Sequence, residues 1–306
     1  MVNTYIDTQN HSDFEIVGAG YKIHVPQAKK RTLRQRLAGK PIISLIILLV
    51  IVIGCICAPL LQTHDANGFY LRNVNQAPDS EFYFGTDTLG RDLYSMMWYG
   101  GRTSIVIGVF GAVVIAVIGI IYGCTSGTSS DRVDSVMMRI TEMCGSIPNL
   151  LFVLILSAVL KASNVISLAI VIGVTGWFGL ARIVRSEVRQ IRNNEYVLYA
   201  RSTGGSFLYA MFRHLVPNFI SAIMFSVISS ISSCITTETT LSFLGLGLPV
   251  DVISWGSMLS LANKALIMKS WWVIIFPGLF LVTTLMCITN VGSYFRQEVN
   301  RRPSNL

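Results

Sequence analysis

Residues 103–130 read TSIVIGVFGAVVIAVIGIIYGCTSGTSS, with no Asp, Glu, Lys or Arg in the run. A bilayer hydrocarbon core is about 30 Å thick, and a helix rising about 1.5 Å per residue crosses it in about 20 residues. This stretch is long enough to do so. Five more uncharged blocks meet or approach the same length: 42–61, 143–160, 162–181, 215–237 and 270–295. The 306-residue chain is 52% hydrophobic and only 13% charged, against roughly 25% charged in a soluble domain. A soluble globular enzyme is excluded. The blocks predict an all-α integral membrane protein with six transmembrane helices, near 42–61, 103–127, 135–159, 165–185, 217–239 and 271–295.

The net charge of +8 could suggest nucleic acid, but these blocks are too apolar for that partner. The lipid bilayer explains the charge better, because cytoplasmic loops of membrane proteins concentrate Lys and Arg. With the N-terminus inside, the alternating segments hold 18 Lys and Arg inside and six outside. This predicts a cytoplasmic N-terminal tail (1–40), a transmembrane domain (41–298) and a cytoplasmic C-terminal tail (299–306). The first apolar block follows about forty polar residues, too late for an ordinary signal sequence.

Sites for resident chemistry are missing from the pattern. The six cysteines lie in or beside apolar blocks, without metal-ligand or disulfide-framework spacing. His11, His24, His64 and His214 are scattered, so no metal site is expected. No Gly-x-Ser-x-Gly elbow occurs. Gly85-Thr86-Asp87-Thr88-Leu89-Gly90-Arg91-Asp92 has the glycine separation of a phosphate-binding loop, but Arg91 replaces its lysine and Asp92 its Ser/Thr. A carboxylate there repels phosphate, so neither an ATP site nor another cofactor site is expected on this chain.

Three features carry functional content. The loop 186–216 is basic, and from Asn194 it reads as a short helix, a Gly204-Gly205 turn and a second helix capped by Ser206; Pro217 marks re-entry. Its apolar positions need either a partner groove or the lipid surface. Glu238, at the outer end of the fifth span, has no basic neighbour in that span. It is read as a pore-lining or gate residue, with Ser242, or as an interhelical hydrogen-bond or ion-pair partner. Asp87, Arg91 and Asp92 read as a brace at the outer entrance to the second span, or as a contact for an outside protein. Glu142 stands three residues from Arg139, which favours a local pair.

Phe84-Gly85-Thr86-Asp87-x-Leu89-Gly90-Arg91-Asp92-x-x-Ser95, followed by Tyr99-Gly100-x-Arg102-x-Ser104, resembles the segment before span two in the dipeptide/oligopeptide/nickel family of ABC-importer permeases. Glu238-x-x-Leu241-Ser242-Phe243-Leu244-Gly245-Leu246-Gly247, Ser254-Trp255-Gly256-x-Met258-Leu259 and Trp271-Trp272-x-x-x-Phe276-Pro277-Gly278 resemble its last third. The inside loop is similar to the family's pattern of Glu-Ala-Ala, three residues, Gly, nine residues, Ile-x-Leu-Pro. Ala200, Gly204 and Pro217 match, whereas Leu198, Tyr199, His214 and Val216 depart from it. The likeness runs from about residue 40 to 298 and is closest to the shorter, C-type permease of the pair.

The resemblance implies a type I ABC importer in the bacterial cell membrane. This chain would form half of the pore beside a second homologous permease. Two ATPase subunits would carry ATP and Mg, and an extracytoplasmic binding protein would deliver peptide, nickel chelate or another small solute. Tyr196, Ala200, Arg201, Gly204, Gly205 and Pro217 would couple the ATPase to the pore. The rival classes are a secondary transporter, which should show inverted repeats, and a membrane enzyme, which should show a catalytic constellation. Neither signal is visible.

Overall fold

The computed structural model describes residues 41–162, 164–191, 216–249 and 251–301. The chain divides into 1–39 and 40–306, and all described residues belong to the second unit. Among them the secondary structure is helical, apart from one isolated bridge between Thr86 and Asp92. The helices are α1 (Ile42–Ile56), α2 (Ala58–Leu61), α3 (Leu93–Thr128), α4 (Asp131–Gly145), α5 (Asn149–Leu160), α6 (Val165–Gly176), α7 (Phe178–Ile191), α8 (Val216–Phe243), α9 (Trp255–Leu259), α10 (Ala262–Ile267) and α11 (Trp272–Arg301).

Helix α3 is the central element. It has 36 residues, about 54 Å at 1.5 Å per residue. It starts ten residues before the predicted span, because Asp92 caps it by accepting the N–H groups of Tyr94 and Ser95. The expected outer loop 62–102 is therefore helical from Leu93. One side of α3 faces away from the protein and carries exposed Val106, Val109, Phe110, Val113 and Val117 at helical spacing. The other side packs on α6, α7 and α8; α8 in turn packs on α11, and α11 on α1.

Small residues make the inner side possible. Gly119, Gly123 and Gly127 recur every fourth residue and face Leu180, Ala181, Val184 and Val188 of α7. A Cβ on Gly123 would lie 2.6 Å from the Ala181 carbonyl oxygen and 2.7 Å from Val184 Cβ. Helices in lipid gain little from hydrophobic burial against each other, so close backbone approach and dispersion supply much of their attraction. Two apolar clusters lie along α3. One joins it to α5–α8 through Ile107, Ile115, Val153, Leu168, Val184 and Ile223. The other joins it to α1, α9 and α11 through Cys55, Met96, Met97, Trp255 and Val273.

Two predicted spans are helix pairs bent by more than 40°. Over the stretch expected at 135–159, α4 and α5 meet at 89°. Pro148 supplies no N–H and biases Ile147 away from helical geometry, so the helix stops there. The stretch expected at 165–185 is α6 and α7, bent by 49°. Among the described residues, two helices, α3 and residues Trp272–Gln297 of α11, are each long and apolar enough to cross a membrane, and up to four spans result if each bent pair counts as one. The stretch between the fifth and sixth predicted spans contains α9 and α10. Helix α9 opens with a capping box in which Ser254 accepts the Ser257 N–H.

The α3–α7 seam predicts an asymmetry between glycines. Gly123→Ala should destabilise the protein by roughly 1–3 kcal/mol through overpacking. Gly278→Ala, with no atom within 4 Å of the new Cβ, should be neutral or slightly stabilising. Thermal unfolding midpoints in detergent measure the difference.

Candidate functional site

Polar side chains are gathered at three levels of α3. At its N-terminal end, Gly85–Asp92 folds around its own carboxylate. Asp87 Oδ1 accepts the N–H groups of Leu89 and Arg91, each at 2.8 Å, and Oδ2 accepts Arg91 Nε–H at 2.8 Å. Asp87 thus occupies two backbone donors of this loop. Gly85 (φ +73°) and Gly90 (φ +79°) take the left-handed backbone that closes this turn. Asp92 Oδ2 also accepts the hydroxyls of Thr63 at 2.8 Å and Ser95 at 2.6 Å. Trp272 Nε1–H of α11 donates to the Thr86 carbonyl at 3.0 Å.

Asp87 and Asp92 are fully buried and Arg91 is nearly so. These atoms tie the loop that precedes α3 to that helix and are turned away from the surface. Nearby on the loop, the N–H of Phe82 holds the Asp79 carboxyl below the usual carboxylate range, helped by the Gln76 amide and the Glu81 N–H.

The second level is built around Glu238 of α8, which is fully buried. Ser104 of α3 donates to its Oε2 at 3.1 Å, and Ser242 donates to Oε1 at 2.9 Å. The Trp255 N–H donates to Ser104 Oγ at 3.2 Å, and its indole N–H donates to the Met97 carbonyl at 3.0 Å. Gly256 lets α9 lie against α8, since a Cβ there would sit 2.7 Å from Thr239 Cα. Both carboxylate oxygens therefore have hydroxyl partners from the same chain. Glu238 and Ser242 join α3, α8 and α9.

The third level lies at the C-terminal end of α3, and the sequence reading did not foresee it. Asp134 of α4 is buried and accepts two bonds from one edge of the Arg185 guanidinium: Nε donates to Oδ1 at 2.6 Å, and Nη2 to Oδ2. Arg189 Nη2 lies 2.9 Å from Asp134 Oδ2 and 2.7 Å from Asp131 Oδ1. Ser126 of α3 donates its hydroxyl to Asp134 Oδ1. One carboxylate thereby joins α3, α4 and α7. The available signal was complementary spacing: two acids three apart on α4 and two arginines four apart on α7. The Arg139–Glu142 pair foreseen from the sequence is present at 3.0 Å on an exposed face.

Of the proposed coupling residues, Tyr196, Ala200, Arg201, Gly204 and Gly205 lie outside the described residues, and Pro217 is the second residue of α8. No group of three or more metal-ligating side chains occurs among the described residues.

Residues 115–302 match the family described as "Binding-protein-dependent transport system inner membrane component". The chain belongs to that family. Its matched region starts inside α3 and takes in the Asp134 site and, of the second site, Glu238, Ser242 and Trp255. The chain is 37% identical over 272 residues to the oligopeptide transport system permease protein OppC of Bacillus subtilis (strain 168), covering 89% of this chain and 88% of that one. It is 36% identical over 249 residues to the dipeptide transport system permease protein DppC of the same organism, covering 81% and 78%. It is 36% identical over 275 residues to OppC of Escherichia coli (strain K12), covering 89% of each. As a member of this family, the chain is a multi-pass inner-membrane transport component.

Breaking the Asp134 site should be costly. Removing one partner of a buried pair costs roughly 3–5 kcal/mol, and the partly open Arg185 places Asp134→Ala toward the lower end. Unfolding of detergent-purified protein measures that loss. A double-mutant cycle with Arg185→Ala should show non-additivity, because the same bonds are removed by either change.

Proposed function

We propose that this chain is one permease subunit of a binding-protein-dependent ABC importer that moves peptides across the bacterial cell membrane. One observation carries the cargo: similarity over most of the chain to permeases named for oligopeptide and dipeptide transport. In this reading the chain forms half of the pore with a second homologous permease. Two ATPase subunits below it hold ATP and Mg, and a binding protein outside delivers the peptide.

The arrangement has six spans with both termini inside, as the Lys and Arg distribution favours. The bent pairs α4–α5 and α6–α7 supply the third and fourth. The loop 186–216 docks in a groove on one ATPase, through Tyr196, Ala200, Arg201, Gly204 and Gly205, and Pro217 marks its return to the bilayer. ATP-driven closure of the ATPase dimer then shifts the spans between inward-open and outward-open populations. The Asp134 site supports this reading, since α7 carries both arginines and runs into this loop as far as Ile191. Glu238 and Ser242 bear on the outer gate from behind, by fixing α9 to α3. Asp87, Arg91 and Asp92 brace the outer entrance on which the binding protein settles.

Topology is tested by Ala77→Cys in a Cys57→Ser, Cys144→Ser background. An impermeant thiol reagent should label this outer-loop cysteine in intact cells; labelling only after lysis would reverse the orientation.

Coupling is tested in liposomes holding the complete importer. Gly204 is expected at a left-handed turn, where a Cβ costs roughly 1 kcal/mol or more. Gly204→Asp should leave the protein inserted but abolish peptide uptake and weaken ATPase association or stimulation. Wild-type uptake and hydrolysis in a well-inserted variant would remove the coupling role.

A further inference from the structure

The two helix breaks meet at one place. The turn between α4 and α5, the junction between α6 and α7, and Ser233 of α8 line a single open cavity of about 290 Å³. Its walls include Cys144, Asn149, Thr175 and Arg182. Two other clefts along α3, of about 480 and 310 Å³, are lined almost wholly by aliphatic and aromatic side chains. The cavity at the breaks is different in kind. Non-helical backbone at membrane depth persists only where protein covers it or where it lines a watered space.

Arg182 gives this cavity its charge. It lies one turn before Arg185 on α7 and is exposed. Of the acids of α4, Asp131 and Asp134 are taken by Arg185 and Arg189, and Glu142 by Arg139. Among the described residues, Arg182 has no ion-pair or hydrogen-bond partner, and neither do the side chains of Asn149 and Ser233. A charged group within a membrane segment usually faces protein or water, and here it faces the cavity. Its unfilled complement is an anion flanked by groups that hydrogen-bond.

We propose that this cavity is a station on the transport path that holds the carboxylate end of a peptide, with Arg182 pairing to the carboxylate and Asn149 and Ser233 meeting the adjacent amides. The proposal rests on the peptide-import reading. Its size fits an end rather than a whole ligand, since drug-sized pockets begin at about 300 Å³. A planar guanidinium matches a carboxylate through two parallel bonds, which an ammonium cannot do. Cys144, half-buried in the same wall, is a native reporter of occupancy.

The test uses the complete importer in liposomes with a transported peptide and its C-terminal amide. Comparing each variant with wild type on both cargoes cancels the binding protein's own preference. Arg182→Gln should lower uptake of the acid about tenfold more than uptake of the amide, the scale of one charge-assisted hydrogen bond. Arg182→Lys should recover only part of that difference. In a Cys57→Ser background, the acid should slow alkylation of Cys144 by a maleimide during turnover, and the amide should do so less. Equal loss for both peptides, or unchanged Cys144 labelling during active transport, overturns the proposal. A loss that follows the anionic-lipid content of the liposomes, and not the peptide's charge, overturns it in favour of a lipid headgroup. If the wild-type complex imports neither peptide while its ATPases are active, the peptide-import reading itself falls, and this site with it.

Discussion

The close approach of α3 and α7 along Gly119, Gly123 and Gly127 is the contact on which the rest of the described structure depends. In water, burying Leu180 and Val184 would itself draw two helices together. In lipid that drive is largely absent, because the alternative neighbour is also hydrocarbon. What remains is dispersion between surfaces that fit, and the fit requires a side without Cβ atoms. Once the seam is closed, the Asp134 site follows geometrically: Ser126 is placed one residue from Gly127, and Arg185 one residue from Val184. The order of dependence therefore runs from backbone approach to ion pair.

The buried carboxylates are spaced in a way that suits a bilayer. Glu238 binds α3 at Ser104 and Asp134 binds it at Ser126. Those serines are separated by about 33 Å along the helix, close to the thickness of a hydrocarbon core. Between them α3 is mostly Ile, Val, Ala and Gly. Each carboxylate has its oxygens hydrogen-bonded, which limits the cost of burial. Polar ties at both ends and a dry seam between them fix α3 in depth as well as in rotation. Packing alone controls rotation well and sliding poorly, since one apolar turn resembles the next.

Much of this was legible in the sequence. Uncharged blocks marked the apolar helices, and the Glu238–Gly247 and Phe84–Asp92 stretches carried the family. Hydropathy reports which residues lipid tolerates, however, and not where a helix axis turns. It placed one span over 135–159 although Pro148 stood in its middle, because the composition on either side remained apolar enough. It also began the second span at Thr103, since Arg102 interrupts the apolar run, whereas the Asp92 cap starts the helix at Leu93. The Asp134–Arg185 pair joins residues 51 apart. Its local signal was weak on both sides, and only the packing of α7 on α3 brings the two together.

The bends and the ties have opposite mechanical consequences. An unbroken helix pinned at both ends transmits a displacement along its whole length, and α3 is such a helix. A helix pair broken at 89° or 49° can change its angle by altering a few backbone dihedrals, at less cost than unzipping a packed seam. Helix α7 belongs to both regimes: it is zipped to α3 by glycines and by Asp134, yet joined to α6 through a bend. A push delivered at its Ile191 end would therefore move α3 and α7 together and be absorbed at the α6–α7 junction. The α4–α5 turn lines the same cavity as that junction, so angular change at either break alters its mouth directly. The rigid and deformable parts of this helical array are thus separated by chemistry: glycine and ion pairs along the α3–α7 seam, and an interrupted backbone beside a polar cavity at the breaks.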